Sequence, residues 1–184
     1  MNIHKGDIVQ FYDTNSIFSK VIQLYNRLKF GERGPTHTGM VVRNSGNEVE
    51  IIEATAKGSI VTVISKELLK QEIFAGNIAI QRQNKTKNFS VTDVMLIHLK
   101  YLGVPYGYFD ILGIATRFLF GFTPKLVKFF KGKKMLICSE LVVRALYDLN
   151  KGKVDFEEEY GIPFDFITPM HIYKSKQVHT VEQK

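Results

Sequence analysis

The chain has 184 residues, 45% hydrophobic and 23% charged, which suits one globular domain with a sizeable core. Its single cysteine excludes an intramolecular disulfide and a zinc site of the multi-cysteine kind. A net charge of +7 favours anionic surroundings (membrane surfaces, nucleic acid, acidic substrates), or marks no more than a soluble basic protein.

The first strand is expected over Asp7 to Tyr12. Met1 to Tyr12 carries His4, Lys5 and Asp7 with no long apolar core, so it does not read as a secretory signal. No apolar run is long enough to span a bilayer, and a cytoplasmic location is expected. Ile17, Phe18, Val21, Ile22, Leu24, Tyr25 and Leu28 fall at helical spacing and predict a helix from Ile17 to Lys29. The Gly-rich link "FGERGPTHTG" lacks the Gly-Lys-Ser/Thr ending of a phosphate loop, so nucleotide binding is not expected there.

Thr38 to Arg43 and Val49 to Ala54 read as strands around "NSGN", followed by strands at Ile60 to Ile64 and Asn77 to Arg82. Ser90 with Asp93 marks a helix start, and that helix runs to about Leu102. The aromatic stretch from Tyr106 to Phe130 resists assignment, interrupted by Gly113, Gly121 and Pro124. After Cys138, the residues Leu141, Val142, Ala145, Leu146 and Leu149 make one face of a helix that ends near Asn150 to Gly152. Glu157, Glu158 and Glu159 read as a solvated loop or helix end. Strands precede helices, so the expected fold is α+β: an antiparallel sheet of about five strands packed against helices. A single domain over 1–174 and a polar tail over 175–184 complete the expected organisation.

Cys138 opens the last long helix, where unpaired N–H groups and partial positive charge favour a thiolate. Position alone does not separate a nucleophile from a small buried core residue. A base is needed, and five histidines are available. His4 and His179 lie near the termini, His98 sits on the Ser90 helix, and His171 lies close to the C-terminal end. No pair has close ligand spacing, so neither a metal nor another cofactor is expected. His37 opens a strand, where it is either a base or a structural residue. A three-residue loop at Asn44-Ser45-Gly46 places His37 directly opposite Glu53, on the same face of the sheet. Glu53 is then positioned to orient the imidazole; a slip of one residue would put it on the other face.

The motifs "THTGMVV", "IIEATAKG", "LGVPYGYFDILG" and "MLICSELVVRAL", in this order, resemble the circularly permuted branch of the NlpC/P60 papain-like superfamily. That branch includes YiiX-like bacterial proteins, poxvirus proteins and relatives of lecithin:retinol acyltransferase. The resemblance runs from Gly6-Asp7 to about "ITPMHIYKS". It implies a permuted papain-like fold with Cys138 as nucleophile, His37 as base and Glu53 as the orienting residue. Tyr106 matches a tyrosine that lines the site and assists an oxyanion, with Tyr108 as the other candidate.

Three function classes follow. The first is a cysteine hydrolase of amide bonds, peptide or γ-glutamyl, acting on a peptide, amino-acid-derived or small acyl substrate. The second is a lipid-directed thiol acyltransferase, phospholipase or thioesterase. The third is a catalytically idle binding module. The phenylalanines and lysines of "RFLFGFTPKLVKFFKGKK" suit either a helical core face with a basic edge or a peripheral contact with acidic membrane. Nucleic acid is not an expected partner, and the oligomeric state is not legible.

Overall fold

The computed structural model describes residues 2–12, 16–84, 89–107 and 135–183. The described elements are strand β1 (Ile8–Phe11), helix α1 (Ile17–Phe30), strands β2 (His37–Ser45), β3 (Glu48–Thr55) and β4 (Gly58–Ser65), helix α2 (Lys66–Ala75), strand β5 (Ile78–Gln83), helices α3 (Val91–Tyr101), α4 (Cys138–Leu149), α5 (Phe156–Tyr160) and α6 (Pro169–Lys174), and strand β6 (Val178–Glu182). The strands form one six-stranded sheet in the order β4-β3-β2-β1-β5-β6, with every neighbouring pair antiparallel. The α+β expectation holds.

Strand alternation sorts the apolar side chains into two layers. Ile8, Met40, Val42, Ile52 and Ala54 join Leu141, Val142, Ala145 and Leu146 of α4 in the larger core. Val9, Val41, Val49, Ile51 and Ile80 join Leu69 and Ile73 of α2 in the smaller one. Helix α4 therefore lies against β2 and β3, the strands that carry the two other candidate site residues.

Three expectations need correction. The segment set apart as a polar tail contains β6, which pairs with β5 and makes the sheet six strands wide. The hairpin loop between β2 and β3 is two residues, Gly46 and Asn47, because Ser45 stands opposite Glu48. The acidic triplet lies in α5, where Glu157 accepts from the Phe164 N–H and Glu159 accepts from Ser175 and Gln177; these two carboxylates tie the chain together instead of facing water alone. The Ser90–Asp93 capping box forms as expected. No helix among the described residues is long and apolar enough to cross a membrane.

Candidate active site

The approach to His37 is fixed by the inner face of α1. Gln23 Nε2 donates to the carbonyls of Tyr12 and Gly34 at 3.1 and 2.9 Å, and Asn26 Nδ2 donates to Pro35 at 3.2 Å. The Thr36 N–H then donates to the Phe11 carbonyl at 2.8 Å, and His37 begins β2 opposite Phe11. The two rings lie 5.3 Å apart between centroids. Together these contacts leave the imidazole little freedom at the end of the sheet.

Glu53 is not the direct cross-strand partner of His37: it stands opposite Gly39. The two-residue turn by itself would move the register three places from the expected pairing, an odd shift that sends Glu53 to the other face. A bulge takes one place back. Val41 faces Ile51 and Arg43 faces Glu50, so Val42 is the extra residue. The net shift is two places, and Glu53 returns to the face of His37. The imidazole then reaches the carboxylate diagonally, His37 Nε2 to Glu53 Oε2, at 2.5 Å.

Gly39 makes room for that diagonal. A Cβ there would lie 2.6 Å from Ile51 Cγ2 and 3.3 Å from Glu53 Cβ. The other carboxylate oxygen, Glu53 Oε1, accepts from the hydroxyl of Thr62 on β4. Glu53 is 9% exposed, so these partners take the place of water.

Cys138 is the first residue of α4 and is 3% exposed. Ile137 precedes it at the cap position, with no side-chain cap hydrogen bond to the helix start. The backbone in front of the cysteine is tied to the sheet. Leu136 N–H donates to Pro105 at 2.9 Å, Gly107 N–H donates to Leu136 at 3.0 Å, and Ser59 N–H at the start of β4 donates to Val104 at 2.8 Å. From the other side, Ser139 Oγ donates to the Ile167 carbonyl at 2.5 Å.

Electrostatics tie the three groups together. Burial opposes a charged His37, but the charge and hydrogen bond of Cys138, with those of Glu53, outweigh it and push the imidazole up to about 10. Burial likewise works against a charged Glu53, and the hydrogen bond and charge of His37, with the Thr62 hydroxyl, hold its carboxyl below the usual range. With Nε2 committed to Glu53, Nδ1 is the ring nitrogen left for the sulfur. Thr62, Glu53, His37 and Cys138 thus form a continuous chain of polar contacts.

The structure brings Cys138, His37 and Glu53 together. Tyr106 is half-buried, forms an isolated parallel bridge with Leu136 and packs beside Ile137 and Phe166, next to the start of α4. Tyr108 lies outside the described residues, as does the lysine- and phenylalanine-rich stretch from Arg117 to Lys134. His171 is held elsewhere: its Nδ1 accepts from the Thr168 N–H, and its ring meets Tyr160 edge-on at 4.9 Å between centroids. Among the described residues, no group of three or more His, Cys, Asp or Glu is placed to hold a metal ion.

Sequence reasoning missed Thr62, Gln23 and Asn26. Thr62 reads as one more β-branched residue of a strand, and only the register of β3 on β4 reveals its carboxylate partner. Gln23 and Asn26 carry a signal in retrospect: two amides on the side of α1 away from Leu24 and Leu28. No family model, curated protein or solved structure matches this chain.

Proposed function

We propose that this protein is a cysteine-dependent hydrolase of amide bonds with a permuted papain-like fold, acting through Cys138, His37 and Glu53. The observation that carries the reading is the half-buried imidazole bridged between a carboxylate and a cysteine at a helix start. Such a set does the work of a nucleophile, a base and an orienting acid. The ordered motifs that resemble the permuted NlpC/P60 branch support the same assignment.

The chemistry follows from the contacts. His37 holds the thiol proton as imidazolium, and the helix start favours the thiolate. The sulfur attacks the carbonyl carbon, and the carbonyl electron pair moves onto oxygen. The Cys138 N–H, with a hydroxyl such as that of Tyr106, stabilises this oxyanion. Collapse breaks the C–N bond, and His37 gives its proton to the departing amine. Water then attacks the thioester while His37 takes its proton. The C–S bond breaks, and the acid leaves.

The test is turnover of a panel of chromogenic substrates (peptidyl and γ-glutamyl anilides, and fatty acyl aryl esters), with mass spectrometry of the protein during turnover. The expected result is anilide hydrolysis with an acyl adduct on Cys138, both abolished by Cys138→Ala. Turnover of the fatty esters alone would move the protein to the lipid-directed class. No adduct and no turnover on any substrate would make it a binding module.

A further inference from the structure

Helix α1 exposes apolar side chains to solvent while burying polar ones. Its inner face carries polar side chains beside the buried Ile22: Ser19 and Asn26 are buried, and Gln23 and Asn26 bind the backbone that leads to His37. Its outer face is apolar. Val21, Leu24 and Leu28 follow the i, i+3, i+7 spacing of one stripe, and Leu24 and Leu28 are 59% and 57% exposed. Lys20 and Arg27 flank the stripe on one side and Lys29 on the other, all three exposed. The helix contains no acidic residue. Glu32, just past its Gly31 cap, is paired with Lys174.

A second apolar surface, on α3, lacks this pattern. Val91, Met95 and Leu99 are exposed there, but Lys100 is neutralised by Asp148 at 2.6 Å and Asp93 lies on the same helix. Of these two faces, α1 is the one that joins an apolar stripe to unopposed cations. That combination fits an anionic bilayer, where the leucines enter the headgroup–acyl boundary and the cations meet the headgroups.

We infer that the outer face of α1 docks this protein on anionic lipid bilayers. The position of the helix gives docking a consequence for the site. Tyr25 packs against the small cluster of Phe166 and Ile137, the latter being the residue before Cys138, and Asn26 holds Pro35, two residues before His37. A bilayer seated on Val21, Leu24 and Leu28 therefore borders both arms of the candidate site. The docking surface stands apart from the chemistry; that the acyl substrate is met at the bilayer rests on the proposed reading of Cys138.

The test is co-sedimentation of the full chain with phosphatidylcholine vesicles and with mixed phosphatidylcholine–phosphatidylserine vesicles. Binding is expected to the mixed vesicles and to weaken with salt. Leu24→Ser with Leu28→Ser should reduce partitioning about tenfold or more. Each of Lys20→Ala, Arg27→Ala and Lys29→Ala should reduce it about fivefold. Leu99→Ser on α3 should leave it unchanged. All these positions are exposed, and unaltered Cys138 alkylation in each variant reports an intact fold and site, so loss of docking and loss of chemistry are read separately. Equal binding to both vesicle types, retention by the double leucine variant, or loss on Leu99→Ser would overturn the inference. So would a leucine-dependent dimer in sedimentation equilibrium without lipid binding, which would assign the stripe to a second copy.

Discussion

Glu53 stands opposite Gly39 and meets His37 diagonally, across the space that a side chain at position 39 would fill. A two-residue turn and a one-residue bulge together produce this register. Either alone would change which face Glu53 presents, because strand side chains alternate. The site therefore depends on backbone features far from the reacting atoms, at Gly46 and Val42.

Gly39→Ala should weaken the fold and the site together. The added methyl meets Ile51 and Glu53 inside ordinary contact distance. Overpacking of this kind costs about 1–3 kcal/mol. Urea denaturation should show a lower midpoint, and the His37–Glu53 contact should loosen. An unchanged midpoint with full activity would show that the gap is not needed.

Thr62 acts as a positioning residue for Glu53. Thr62→Val keeps the strand shape and removes the donor to Glu53 Oε1. A hydrogen bond to a charged group is worth about 1.5–3 kcal/mol, so the acid limb of the pH–rate profile should move up. The direction follows from the hydroxyl's present effect, which helps hold Glu53 below the usual carboxyl range. Thr62→Ser should restore the profile. A profile indifferent to both variants would leave Thr62 a strand residue and nothing more.

Most of the sheet was legible because its strands alternate or run apolar between clear turn signals, and α4 because its apolar face is wide. Helix α2 was not. It begins directly after β4, with Ser65 ending the strand and capping the helix. It buries only Leu69 and Ile73 while exposing Leu68 and Phe74, so no clean stripe appears. Strand β6 was missed because an edge strand needs little apolar surface, and "VHTVE" reads as solvated tail. In the site, Cys138 and His37 were visible from their places at a helix start and a strand start. The partnership with Glu53 was reached through a register that the bulge at Val42 alters, since a bulge leaves no mark in a run of valines.

Stability should depend on pH through His37. Its folded value of about 10 lies above the ordinary 6.5. The contribution is therefore complete below about pH 6.5 and is lost as the pH rises through 10. Glu53→Gln removes one of the groups that raise the imidazole, so the loss should be smaller and complete at lower pH. Urea midpoints of the two proteins across this range give the comparison. Parallel curves would mean that Glu53 does not support the charged ring.

The central claim is that His37 holds Cys138 as a reactive thiolate, and the pH dependence of iodoacetamide alkylation tests it most directly. In the native protein at pH 6, alkylation of Cys138 should outpace that of the denatured chain severalfold. His37→Ala should slow it at that pH by about tenfold or more, while the denatured chain should react as a plain thiol. A native rate that climbs with pH like that of an ordinary cysteine, unchanged in His37→Ala, would contradict the account.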